Sequence, residues 1–215
     1  MSKIFIIGLP RTGTTSISVA LLECGFKVAH TAFTKRAFEL ADAISDAPCF
    51  SDYQQLDHLF PNSKFIYLQR ELSKWVPSIQ RLLTKMEPHL TPKTGHFNPV
   101  LKRSFDQIFD LSNDSLLTEH HLSACYEQHQ QQVESYFRSR NDLLSINLSE
   151  QANLSVLLDF LGIDNQENKQ FPHLNKGAQV ANWKDYKHVN KINSLSAGQD
   201  HRRFYDYHYL SSNCR

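Results

Sequence analysis

The sequence predicts a single three-layer α/β domain over residues 1–215, with helices on both faces of a central parallel sheet of about five strands. Three observations lead there. Short β-branched and aromatic runs alternate along the chain with amphipathic helical stretches. The first of these runs passes through a glycine-bounded loop straight into a helix. The length, 215 residues, suits one domain of ordinary size.

In chain order, residues 3–8 form a short apolar run ending in Gly8, which reads as a buried parallel strand. Residues 14–24 follow as a helix with Ile17, Ala20, Leu21 and Cys24 on one face, and Gly25 supplies its stop. Residues 26–30 read as a second strand, about 33–43 as a polar helix, and 48–52 as a third strand. KFIYLQ over 64–69 is a stronger strand, with a helix over 72–86 after it. Residues 87–113 carry Pro88, Pro92, Gly95 and Pro99 with weak periodicity. They read as a lid or acceptor-binding insertion, or as a plain connecting loop. A glutamine-rich helix is expected over 116–138 and a strand over 143–148. A last helix carries Leu154, Leu157, Leu158 and Leu161 on one side and stops at Gly162. From Phe171 onward the chain is polar and aromatic with little period.

Composition narrows the function classes. Apolar residues make up 40%, enough for a core, while charges make up 21% and nearly cancel, at a formal net charge of +1. That balance argues against broad nucleic-acid or membrane-surface binding, so an anion site must be local. The apolar run over 4–9 is too short for a signal peptide, and no window approaches a membrane span. Cys24, Cys49, Cys125 and Cys214 are scattered without Cys-x-x-Cys spacing, which predicts free thiols in a reducing cytoplasm. Among the 11 histidines only His120 and His121 are adjacent, and no metal-binding spacing appears.

The chemistry concentrates at GLPRTGTT over 8–15. A glycine-bounded loop between strand and helix turns successive N–H groups inward, and the helix N-terminus adds positive potential. Thr14 and Thr15 add hydroxyl donors. The nucleoside-triphosphate pattern GxxxxGK[ST] wants lysine after the second glycine, to reach the β- and γ-phosphates. Here that position is Thr14, and the cation is Arg11 inside the loop. Such a loop suits a single phosphate with a cation near a leaving group. The nearest strand-like run ending in a magnesium-binding aspartate is CFSD over 49–52, and it fits poorly.

PRTGTT over 10–15 resembles the 5′-phosphosulfate loop of sulfotransferases that use 3′-phosphoadenosine-5′-phosphosulfate (PAPS), where many members read PKSGTT. Arg11 stands where the family places its lysine. A second motif is independent of the first. In the family a strand ends in arginine and a serine follows eight residues later, and both grip the donor's 3′-phosphate. This chain has KFIYLQR ending at Arg70 and ELSKWVPS ending at Ser78. Asp52, Pro61 and Trp75 fit a bacterial branch of the family. FPHLNKG over 171–177 resembles the segment that folds over the donor, so the resemblance assigns Lys176 and the 171–215 segment to the cofactor side.

The resemblance implies in-line transfer of a sulfuryl group from PAPS to a hydroxyl or amine of a small-molecule or carbohydrate acceptor, with no metal required. Pro10, Arg11, Thr12, Gly13, Thr14 and Thr15 hold the 5′-phosphate side, and Arg70, Ser78 and Lys176 the 3′-phosphate. Arg11 also meets the charge that grows on the leaving oxygen. A base must take the acceptor's proton. The cytosolic branch uses histidine in a KTHLP segment that this chain lacks, and other branches use glutamate at the end of the second strand, where this chain has His30. His30 is the first choice, because neutral imidazole suits a base near neutral pH, and Asp52 is the second. Two alternatives stay open: a kinase with a degenerate loop, and a nucleotide-binding relative without catalysis.

Overall fold

The computed structural model describes residues 2–148, 153–163, 183–197, 204, 205 and 207. The element order is β1 (Ile4–Ile6), α1 (Thr14–Glu23), β2 (Val28–Ala29), α2 (Lys35–Leu40), β3 (Ala43–Ser45), α3 (Cys49–Leu59), β4 (Lys64–Leu68), α4 (Leu72–Leu90), α5 (Pro99–Phe109), α6 (Glu119–Tyr136), β5 (Leu143–Ile146) and α7 (Asn153–Leu161). The five strands form one sheet in the order β2-β3-β1-β4-β5. Every pairing is parallel, with Phe5 opposite Ile44 on one side and Phe65 on the other. The α/β class, the parallel sheet and its strand number agree with the expectation from sequence.

Period-two alternation builds the layers. On one face Phe5, Ile7, Phe65 and Tyr67 pack with Phe38, Tyr53, Leu56 and Val133, which come from α2, α3 and α6. On the other, Ile4, Ile6, Ile66 and Leu68 pack with Ile17, Leu21 and Leu157 of α1 and α7. A third cluster joins α4, α5 and α6 through Trp75, Ile79, Leu83, Phe105, Phe109, Leu122 and Tyr126, and it includes Leu9 of the first loop. The helical subdomain is thus packed onto the end of the sheet from which that loop emerges.

Two expectations change. Residues 48–52 are not a strand: β3 is Ala43–Ser45, and 49–52 open helix α3. Cys49, Tyr53 and Leu56 fall at helical spacing and bury one face, whereas Ala43 and Ile44 face opposite sides of the sheet. The stretch 87–113 is also not irregular throughout. It holds the last turn of α4 and all of α5, whose Asn98 side chain accepts from the Leu101 N–H while Pro99 takes the first turn. Val100, Phe105 and Phe109 of α5 are buried in the third cluster.

Part of the C-terminal region closes the sheet's edge. Val28 donates to the Asn190 carbonyl at 3.0 Å and accepts from the Ile192 N–H at 2.8 Å, so 190–192 run beside β2. Covering an edge strand in this way satisfies its open backbone groups. Among the described residues Cys49 and Cys125 are free, buried thiols, and no helix is long and apolar enough to cross a membrane. Cys214 lies outside them.

Candidate active site

The loop 8–15 joins β1 to α1 at the carboxyl end of the parallel strands, the edge at which such sheets bind ligands. Gly8 must be glycine, since a Cβ there would stand 2.6 Å from the Leu68 Cβ on the neighbouring strand. Arg11 at φ 72° and Gly13 at φ 115° are left-handed and curl the chain. Thr12 closes the curl by donating its hydroxyl to the Leu9 carbonyl at 2.7 Å. Gly13 caps α1 without a side chain, and the first turn holds no acidic residue. The leading amides of α1 therefore keep their anion-binding character.

Helix α4 and the residues before it clamp the loop from one side. The Trp75 indole N–H donates to the Pro10 carbonyl at 2.9 Å, and Arg70 Nη1 donates to the Arg11 carbonyl at 2.6 Å. Arg11 Nε in turn donates to Ser78 Oγ at 2.9 Å. Arg11, Arg70 and Ser78, singled out from two separate motifs, thus meet in one hydrogen-bonded chain. Tyr126 fixes Arg70: its hydroxyl accepts from the Arg70 N–H at 2.9 Å and donates to the Arg70 carbonyl at 3.0 Å. Burial, then the nearby charges of Arg11 and Arg81, hold the Arg70 pKa below the usual guanidinium value. None of the three arginines has a carboxylate partner among the described residues. Arg81 and Tyr126 were not named for this role from sequence. Arg81 sits three residues past Ser78, a helical neighbour spacing that would have found it.

The other side of the loop faces His30 and Asp46. His30 follows β2, and its Nε2 lies 3.0 Å from Thr15 Oγ1 and 3.9 Å from Asp46 Oδ2. The ring stacks on Trp183 at 5.3 Å between centroids. Burial pushes the His30 pKa down against the opposing pull of Asp46, and the charge of Lys191 pushes the same way as burial. Asp46 follows β3 at φ 59°. Its Oδ1 accepts from the Ala47 N–H at 2.9 Å, and Thr14 Oγ1 stands 3.5 Å from its Oδ2. Burial raises its pKa, against weaker lowering by His30, the Ala47 N–H, Thr14 and Arg11. Sequence reasoning missed Asp46. It is the strand-end aspartate beside the phosphate loop that CFSD was considered for.

Asp52 does not join this group. It is fully buried on α3, where Arg103 of α5 grips both oxygens at 2.8 and 2.7 Å. Tyr207 donates to its Oδ2 at 2.6 Å and Ser51 to its Oδ1 at 2.7 Å. Burial alone would raise its pKa, but the bonds and charge of Arg103, with Tyr207 and Ser51, prevail and lower it. A carboxylate so saturated is a structural ion pair and a poor proton acceptor, which corrects its candidacy as a base. Phe105, Phe109 and Tyr126 are core residues of the helical cluster, with Phe97 packed against it. Lys176 and the FPHLNKG segment lie outside the described residues.

The model of one family, the sulfotransferase domain, matches residues 3–35 and 30–180. No curated protein matches the chain. Among solved structures, a sulfotransferase from Alicyclobacillus acidocaldarius is similar at 14% identity and a TM-score of 0.48, covering 76% of this chain and 82% of that one.

Proposed function

The chain belongs to the sulfotransferase domain family, and from that premise we propose that it moves a sulfuryl group from PAPS to a hydroxyl or amine of a small-molecule or carbohydrate acceptor. One observation carries the donor assignment: three arginines without carboxylate partners among the described residues, with Arg70 bonded to the Arg11 carbonyl and Arg11 to Ser78 beside the phosphate loop. Cations held close together with no carboxylate in ion-pair contact repel one another, and a doubly phosphorylated nucleotide relieves that repulsion. The donor set also fits the ligand's chemistry. Guanidinium forks match phosphate oxygens bidentately, and the Ser78 hydroxyl adds one donor.

When bound, PAPS supplies an activated sulfuryl group and a 5′-phosphate that departs. The backbone N–H groups of 12–15 and the hydroxyls of Thr14 and Thr15 hold that phosphate. Arg11 balances the charge that grows on the departing oxygen, which is stabilisation set in place before reaction. Arg11 Nε donates to Ser78 Oγ, so the same guanidinium ties the 5′-phosphate loop to the serine assigned to the 3′-phosphate. His30, kept neutral by burial, receives the acceptor's proton.

A kinase reading gains one observation, because Asp46 occupies the strand-end position from which P-loop phosphotransferases hold magnesium. It leaves Arg70, Ser78 and the missing loop lysine without a purpose. Titration calorimetry decides between them. Adenosine 3′,5′-bisphosphate should bind far more tightly than AMP, and Arg70→Ala should weaken it by about ten- to a hundredfold, the loss of one or more charged hydrogen bonds. AMP binding should barely change. Equal wild-type affinity for AMP and the bisphosphate would refute the donor, and stronger stabilisation by magnesium-ATP would favour the kinase.

A further inference from the structure

The geometry points to Asp46 as a catalytic residue of the proposed transfer: its Oδ2 and His30 Nε2 together hold the acceptor's nucleophilic oxygen and take its proton. The inference rests on the sulfotransferase reading and supplies the carboxylate that the sequence had assigned to Asp52. Four observations carry it.

First, Asp46 Oδ2 is poorly served. Oδ1 has the Ala47 N–H at 2.9 Å, but the nearest donors to Oδ2 among the described residues are Thr14 Oγ1 at 3.5 Å and His30 Nε2 at 3.9 Å. Both exceed good hydrogen-bond length. Asp52, in contrast, has short bonds to both oxygens. A partly buried carboxylate oxygen left in this state has capacity for one more donor.

Second, the gap has the right size. Two polar atoms 3.9 Å apart can both be reached by one oxygen about 2.8 Å from each. A hydroxyl there gives its proton to Asp46 Oδ2 and takes the place of Thr15 Oγ1, now at 3.0 Å, on the single site of His30 Nε2.

Third, the gap has the right place. Both atoms border the hydroxyls of Thr14 and Thr15, which open α1 in the phosphate loop. An oxygen bridging the pair stands across the loop's threonines from the clamp made by Arg70 and Ser78.

Fourth, the backbone of Asp46 is left-handed at φ 59°, a conformation that costs free energy and often marks functional positions. The turn aims the carboxylate at the loop instead of along the strand.

In the transfer, a lone pair of the acceptor oxygen forms the new bond to sulfur. The bond between sulfur and the 5′-phosphate oxygen breaks, and its electron pair leaves on that oxygen. The acceptor's proton goes to the Asp46–His30 couple, which gains one proton in balance. The charged and titratable groups facing the couple are Arg11 from the loop, Cys49 from α3 and Lys191 from the C-terminal segment.

The test compares wild type, Asp46→Asn and Asp52→Asn. Consumption of sulfur-labelled PAPS is followed with water and a panel of hydroxyl compounds as acceptors. Bisphosphate binding is measured by calorimetry in two buffers of different ionisation enthalpy, which reports proton uptake without any acceptor. Asp46→Asn should lose on the order of a hundredfold in turnover while binding the bisphosphate at least as tightly, because a carboxylate beside the anion site is gone. Its proton uptake on binding should fall below that of wild type. Asp52→Asn should keep the wild-type proton uptake. Turnover of Asp46→Asn within about threefold of wild type, against the loss expected of a true base, would overturn the inference and leave the sulfotransferase reading intact. Magnesium-dependent nucleotide binding that Asp46→Asn abolishes would also overturn it, in favour of a metal ligand. A wild type that binds AMP as well as the bisphosphate would instead remove the donor assignment and the inference with it.

Discussion

Asp46 and Asp52 lie on one short stretch of chain, and their surroundings drive them in opposite directions. Burial dominates at Asp46 and raises its pKa, while at Asp52 the guanidinium of Arg103 overcomes burial and lowers it. Removing Arg103 would strand a fully buried carboxylate. Arg103→Met should therefore cost about 3–5 kcal/mol of stability. Chemical denaturation of both forms checks it, and a loss below about 1 kcal/mol, typical of a surface pair, would show the ion pair to be dispensable. The pH sign follows from the lowered pKa. Asp52's contribution is complete above its ordinary value of 3.8 and fades as the pH falls through the folded value. At this scale legibility depended on spacing. Arg70 and Ser78 were readable because a strand end and a helix two turns on fix their relation. Asp46 was not, because β3 is only three residues long and the apolar pattern around it is broken by Asp42.

Helix α4 is the element that positions the site, since it carries Ser78 and Trp75 while Arg70 lies two residues before its start. Trp75 is wholly buried between Tyr126 and Phe109, yet its single N–H is spent on the loop carbonyl of Pro10. Trp75→Phe keeps an aromatic ring in the cluster and removes only that donor. The loss should be about 1–3 kcal/mol, the usual cost of an unsatisfied buried acceptor, together with weaker bisphosphate binding as the loop loosens. Denaturation and calorimetry on the same variant check both, and unchanged affinity would show that Arg70 alone sets the loop. Among the elements, α5 escaped the sequence reading because prolines at 88, 92 and 99 dominate the composition there. The signal was present in Asn98-Pro99, a side-chain cap followed by proline in the first turn. The reading of 48–52 as a strand failed because so short a run, with Cys49 and Phe50 its apolar pair, does not separate a strand from the first turn of a helix.

Across the whole molecule the sheet gathers two half-sites on either side of one loop, and the C-terminal segment finishes the second. Residues 190–192 pair with the edge of β2, Thr31 and Ser194 share a hydroxyl contact, and Trp183 lies on the His30 ring. None of this was legible from local pattern, because a polar aromatic tail acquires meaning only from the edge it covers. The consequence is electrostatic. Burial is the largest cause of the lowered His30 pKa, and Trp183 is the described residue stacked on its ring. Trp183→Ala should admit water to the ring and let its pKa rise toward the ordinary 6.5. Asp46 then favours the imidazolium further, and Lys191 remains the opposing charge. A base must be unprotonated to act, so the acid limb of the activity profile should move to higher pH. Stability should respond as well. The folded wild type resists protonating His30, so stability declines as the pH falls through 6.5. That decline should be shallower in Trp183→Ala. Following the His30 ring proton by NMR across the titration separates the effect from any change in donor binding. A His30 pKa that stays put would show that Thr15 and Asp46, not the C-terminal cover, set its charge.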